Sequence, residues 1–239
     1  MTNPVEPTTA THTLHLFEGE LQHLHQLKIE MARLVVFQLQ QAMLALNDGD
    51  MELAELVVLR DQAIKQLEIQ VDAEVLNVLA RQCPVANDLR TVISTSKIAA
   101  ELEKIGAEIL DFAHLVAVLF NPNTSDPNPQ LLVDIVKISQ LVDNALQVML
   151  LLLETENPQL AYLLLTEGQE CHIELQEGIK HQLSFVVQDA RMIGRALDIM
   201  QIMKALEGCV EFCHNIAEYM IFKIEGINIR HSDSFATMP

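Results

Sequence analysis

Asp61, Glu68 and Asp72 are separated by seven and then four residues, so a helix through them carries all three on one stripe. Glu207, Glu211 and His214 form a second stripe at spacings of four and three. Glu103 and Asp111 fall about a quarter turn from one another on a helix. Glu167, Glu170, Glu174 and Glu177 make a further stripe at spacings of three and four. Carboxylates stacked this closely repel one another in water. A hard divalent or ferric cation reverses the sign, because one ion takes several oxygen ligands. The other reading is that each stripe is a solvated helix face, which an acidic helical protein needs in any case. Cys209, Val210 and Cys213 make the surroundings of the Glu207 stripe otherwise apolar.

These stripes require helices, and the apolar residues supply the period. Phe17, Leu21, Leu24, Met31, Val35, Ala42 and Leu46 recur at helical spacing until the turn formers NDGD at 47–50. A second helix over about 51–82 carries Val57, Ile64, Val71 and Val78 on a seven-residue seam. Pro84 ends it and suits the first turn of a third helix reaching about residue 120. NPNTSDPNP at 121–129 is a linker. Three more helices follow, over about 131–153, 158–189 and 192–224, with TENP at 155–158 as the break. The two halves align. Leu53, Ala54 and Leu56 match Leu160, Ala161 and Leu163, and Asp61 and Glu68 fall on Gly168 and Leu175. Glu103 falls on Glu207. The expected architecture is all-α, two tandem three-helix bundles made by an internal repeat. The divisions are a tail over 1–12, a bundle over 13–120, the linker over 121–129, a bundle over 130–226 and a tail over 227–239.

Half of the residues are apolar but only 4% are aromatic, which is helix-bundle composition. The net charge of −18 repels phosphate backbones and anionic lipid, so nucleic acid is excluded as a partner over most of the surface. Basic partners or bound cations are expected instead. The four cysteines form no CxxC pair and read as reduced, packed thiols, which fits a cytoplasmic location. The N-terminus has neither the basic nor the apolar segment of a signal peptide. No run of about 18 apolar residues is present, so no membrane span is expected. No nucleophile arrangement and no Gly-rich phosphate cradle stands out, so the chain is not expected to be an enzyme, and no local basic nest for phosphate is visible.

The segment DQAIKQLEIQVDAEVLNVLARQCPVANDLR (61–90), above all PVANDLR, resembles the PhoU family of phosphate-uptake regulators. AAELEKIGAEILDF (99–112) resembles that family's first acidic signature, with its E-[RK]-I-G-D core, and KALEGCVEFCHNIAE (204–218) resembles the second. FEGEL (17–21) and GINIRH (226–231) resemble the family's two ends, and the resemblance spans about 13–231. It implies six helices in two bundles, a homodimer, and cation sites on one face of each bundle. It also implies a negative regulator of the phosphate-starvation response. Such a regulator links the ATPase subunit of a phosphate ABC transporter to a phosphate-sensing histidine kinase, and meets the membrane only through partners.

Carried onto this chain, the resemblance makes Glu103 and Glu207 the signature glutamates. Ala107 stands where an Asp is expected, Asp111 where Asn is usual, and Glu211 replaces the second Asp. Arg230 and His231 match the terminal motif, with Asn228 for an expected Asp. The metal ligands so implied are Glu103, Asp111, Glu207, Glu211, Asp61, Glu68 and Asp72, for iron, zinc or magnesium, with the first-half site reduced. Glu108 points about 140° away from Glu103 and does not substitute for the lost ligand. Asp88 and Arg90 read as a cap and ion pair opening the third helix. Two rival readings are a ferritin-like di-iron protein using Glu20, His23, Glu211 and His214, and a metal-free helical scaffold.

Overall fold

The computed structural model describes residues 9–120 and 129–229. Six helices follow in order: α1 (Thr9–Asp48), α2 (Met51–Gln82), α3 (Ala86–Leu119), α4 (Pro129–Thr155), α5 (Pro158–Gln188) and α6 (Ile193–Glu225), with a 3-10 turn at Ala190–Met192 before α6. Among the described residues there is no strand.

The breaks fall where the turn chemistry places them. Asp50 caps α2 by accepting from Leu53 N at 3.0 Å, and Asn157 caps α5 by accepting from Gln159 N at 3.1 Å, with Pro158 in the first turn. Gly226, at φ +74°, closes α6 in the left-handed conformation that glycine adopts without penalty. Two expectations shift. Residues 9–12, read as tail, already belong to α1. Pro84 stands ahead of α3, whose cap is Val85, because the chain first turns at Cys83 (φ +45°). Of the 121–129 linker, Pro129 is already the first residue of α4, and 121–128 lie outside the described residues, as does the Arg230–His231 motif.

α1, α2 and α3 pack on one another, as do α4, α5 and α6, and the two sets meet along α3–α6 and α1–α4. The inner four helices therefore form a ring, with α2 and α5 on opposite flanks. Val57, Ile64, Val71 and Val78 bury the α2 seam against this ring, and one apolar core runs through both halves. Burying these side chains supplies the driving force, about 1.5–3 kcal/mol for each large aliphatic residue. The stretches Leu16–Asp48 and Leu132–Thr155 are long and apolar enough to cross a membrane on length and composition. Their most apolar windows are about half buried inside this core, 56% and 44%, so core packing accounts for that composition.

Candidate functional site

The α2–α3 flank gathers most of the first-half acids. Asp61 is buried, and its Oδ2 accepts from Lys65 Nζ at 2.6 Å, one turn along the same helix. Asp61 Oδ1 is buried with no hydrogen-bond partner. Such an atom costs about 1–3 kcal/mol unless something compensates it. Gly106 lets α3 approach, since a Cβ there would stand 2.9 Å from Ile64 Cδ1 and 3.8 Å from Asp61 Oδ1. Glu103 faces the same flank. Burial, then the charges of Glu103 and Asp72, push the Glu68 carboxyl above the ordinary carboxylate range. Asp72 Oδ1 accepts from Ser96 Oγ of α3 at 3.0 Å. Asp61, Glu68, Asp72 and Glu103 thus share one face, with Lys65 as its built-in cation.

Asp111 does not join them. It is exposed and acts with Glu108 across the α3–α6 seam, where burial and then the Asp111 charge raise the Glu108 carboxyl. Glu108 points away from Glu103, as its helical angle demands, and lies against α6: a Cβ at Gly208 would stand 3.0 Å from its Oε1.

On α6, both oxygens of Glu207 are taken. Lys204 Nζ donates to Oε2 at 2.5 Å, and His172 Nδ1 of α5 lies 2.8 Å from Oε1. Gln176 Nε2 donates to His172 Nε2 at 2.9 Å, which leaves the His172 proton on Nδ1, directed at Glu207. Burial raises the Glu207 carboxyl, but the Lys204 and His172 hydrogen bonds outweigh it and hold the group below its usual range. Glu211 is exposed one turn further on. His214, read as its neighbour in a cation stripe, turns the other way. Its ring fills the space left by Gly168 of α5, where a Cβ would meet it at 2.0 Å, and its Nε2 is buried without a partner. Burial is the main reason its pKa lies below the usual histidine value.

The remaining candidates are structural. On α5, Glu170 and Glu177 are exposed and Glu174 pairs with Lys137 of α4 at 2.6 Å, while the Glu167 side chain lies outside the described residues. Arg90 donates to Asn87 rather than pairing with Asp88, and its guanidinium packs over Gly226 at the end of α6. Cys171, Cys209 and Cys213 are buried thiols and Cys83 is exposed. The di-iron ligands do not meet: Glu20 holds Arg81 and Gln82 of α2, His23 is exposed, and His214 faces Gly168.

Among the described residues no three His, Cys, Asp or Glu side chains stand as a ready set around one ion. The two faces fit a cation unequally. The α2–α3 face offers hard oxygen donors and one orphaned buried carboxylate oxygen, once Lys65 swings aside. The α5–α6 pair does not fit, because Glu207 is already saturated by Lys204 and His172.

Comparison with known proteins places this helical plan. The PhoU domain matches residues 29–116. A phosphate-specific transport system accessory protein PhoU homolog from Pseudomonas aeruginosa is 30% identical over 220 residues, 92% of this chain and 90% of the relative. The chain belongs to the PhoU family. PhoU from Escherichia coli is 25% identical over 90% of this chain and 88% of its own length. The crystal structure of PhoU from P. aeruginosa covers 88% of this chain and all of that one, with a TM-score of 0.83 at 30% identity. A phosphate transport system regulatory protein from Streptococcus pneumoniae, 24% identical, shares the fold at a TM-score of 0.79. PhoU proteins are regulatory accessory proteins, not enzymes, in agreement with the sequence reading.

Four residues of the PhoU faces escaped the sequence reading: Lys65, His172, Lys204 and Glu101. The i,i+4 spacing of Asp61 and Lys65 and the i,i+3 spacing of Lys204 and Glu207 were visible signals. Glu101 shows the same i,i+3 spacing with Lys104, at 3.0 Å, but its burial against Asn215 of α6, at 3.1 Å, has no local signal.

Proposed function

We propose that this PhoU protein is a cytoplasmic accessory regulator of phosphate uptake that restrains the phosphate-starvation response. It would act as a homodimeric adaptor between the ATPase subunit of a phosphate ABC transporter and a phosphate-sensing histidine kinase. The observation that carries the regulatory role is the near full-length match, at 30% identity, to a protein named for the phosphate-specific transport system. The charge of −18 suits basic patches on partner proteins. Leu59, Ile69 and Leu76 stay exposed on α2 and offer apolar contact area of the kind an adaptor uses. Deleting the gene should derepress high-affinity phosphate uptake in phosphate-replete cells. Expression that stays phosphate-regulated in the deletion strain would remove the role.

The cation part of the proposal belongs to the α2–α3 face. Iron, zinc or magnesium bound on this face would neutralise charge among Asp61, Glu68, Asp72 and Glu103 and tie α2 to α3, with no single ion spanning the roughly 16 Å of helix between Asp61 and Asp72. Elemental analysis should show Asp61→Asn losing metal while Glu207→Gln with Glu211→Gln keeps it. Equal metal in all three proteins would contradict this assignment.

A further inference from the structure

This acidic chain has 15 Lys and Arg against 33 Asp and Glu, yet at one place base exceeds acid. Lys28 and His25 of α1, Lys223 near the end of α6 and Glu156 in the α4–α5 turn meet there. No linear motif announces it, because the residues come from three distant segments. All three bases address one oxygen, Glu156 Oε1: Lys223 in direct contact, His25 Nδ1 at 3.6 Å and Lys28 Nζ at 3.9 Å. Lys28 is 1% exposed, and Glu156 lies beyond hydrogen-bond reach of its ammonium. A buried ammonium has three donors to satisfy, and one shared carboxylate oxygen at this distance satisfies none of them.

Burial, reinforced by the charge of Lys223, lowers Lys28 to about 7, so Glu156 does not restore what burial removes. Glu156 itself is held at φ +52° in the turn, and its side chain is 36% exposed. The carboxylate can therefore swing out to water while the two lysines, anchored on packed helices, cannot follow. With Glu156 outside, Lys223 carries the standing positive charge. Lys28, lowered to about 7, takes up a proton as an oxyanion enters and brings the charge to +2, and His25 adds a further donor. A groove of about 580 Å³ lined by His25, Gln26, Ile29, Glu30, Arg33 and Glu154 borders the cluster at His25.

We propose that Lys28, Lys223 and His25 form a binding site for a tetrahedral oxyanion of the phosphate type, whose place the Glu156 carboxylate holds when the ion is absent. A phosphate dianion matches the +2 charge and gives each base its own oxygen, which a single carboxylate oxygen does not. The burial of Lys28 favours a small free ion over a phosphate ester. This inference stands apart from the adaptor role: a purified protein that ignores phosphate would leave that role intact.

The test is calorimetric titration and thermal melting of the full-length protein with inorganic phosphate at pH 7.5, ionic strength being held constant with chloride. Wild type should bind saturably. Glu156→Gln should bind about tenfold tighter, because the competing carboxylate charge is gone. It should also melt lower without phosphate and be rescued by it. Lys28→Met and Lys223→Gln should each lose at least about tenfold in affinity. Glycerol phosphate binding as tightly as inorganic phosphate would support the site and assign it to phosphate esters. Phosphate binding that is indifferent to both lysines, or a destabilised Glu156→Gln that phosphate fails to rescue, would reduce the cluster to a clamp between the halves and overturn the proposal.

Discussion

The α2–α3 and α5–α6 faces descend from the same place in a repeat, yet they handle charge in opposite ways. In the first, Asp61 enters the protein with one lysine on one of its oxygens and nothing on the other. In the second, the aligned position is Gly168, and the space is filled by the imidazole of His214 from α6. Glu103 and its counterpart Glu207 differ accordingly. Glu103 adds to an acidic surplus with Glu68 and Asp72, whereas both oxygens of Glu207 are taken, one by the Lys204 ammonium and one by His172 Nδ1. The two helical frames match, and a few substitutions at their contacts leave one face with an acidic surplus and an unpartnered carboxylate oxygen and the other with its glutamate already paired.

Steric replacement should separate the two faces most. In Gly168→Ala the new Cβ would stand 2.0 Å from the His214 ring, which is fixed by a hydrogen bond to the Leu164 backbone. The ring cannot yield without losing that bond, so the expected cost is about 3 kcal/mol, at the upper end for overpacking. Denaturant melts should show it. His214→Ala in the same chain should recover most of it, because alanine then contributes its better helix propensity, about 1 kcal/mol over glycine. Gly106→Ala on the other face is the control. There the one close contact of the Cβ is with the far end of the Ile64 side chain, at 2.9 Å, so clash and propensity should nearly cancel. Equal costs at the two glycines would dissolve the asymmetry.

How far the sequence discloses these faces follows from where each partner sits. Caps and breaks are local, so Asp50, Asn157 and Gly226 mark helix ends within a residue or two. The apolar seam of α2 is periodic and therefore legible, and so is the stripe formed by Asp61, Glu68 and Asp72. Whether a stripe faces water or a neighbouring helix is another matter, because that depends on how helices distant in the chain cross. Asp111 and Glu108 show the difference. Both belong to α3 by any reading of the period, but Glu108 answers to Lys204 and Glu211 on α6, about a hundred residues away in sequence, while Asp111 stays exposed. Glu207 and His214 share a strip on paper, and α5 divides them, drawing one to His172 and the other to Gly168. The knot at Glu156 is the extreme case, since only His25 and Lys28 are neighbours on a helix and nothing local ties them to Glu156 or Lys223.

Acid titration should distinguish the two faces by the sign of their pH dependence. The Glu207 carboxyl is depressed in the folded protein, so its contribution is present above the unfolded value near 4.5 and is lost as pH falls through the lower folded value. Glu207→Gln should cost about 1 kcal/mol at neutral pH, the net worth of hydrogen bonds to a charged group on a partly exposed side chain. The loss should shrink towards zero as the pH drops below the folded value of the wild-type group. Chemical denaturation of wild type and variant between pH 3 and 7, about the range a carboxylate spans, tests this, and a cost that does not change with pH would show that packing rather than charge holds Glu207.

The smallest expected effect has the opposite sign and comes from Glu68. Its carboxyl is raised by burial and by the charges of Glu103 and Asp72, so the folded protein holds that proton more tightly than the unfolded chain does. Ionising it therefore opposes folding: stability falls as pH rises from the unfolded value near 4.5 through the higher folded one. Glu68→Gln removes that repulsion and should stabilise the metal-free protein by about 0.5 kcal/mol at neutral pH, the scale of a like-charge pair on a helix surface. With a cation on the α2–α3 face the sign should invert, because the substituted side chain then withholds a ligand from the ion. One variant measured with chelator and with added metal thus separates two accounts of the same acids. A gain under both conditions leaves Asp61, Glu68, Asp72 and Glu103 as repulsion that Lys65 only partly relieves. A gain that becomes a loss when metal is supplied makes that repulsion the reason the face binds an ion.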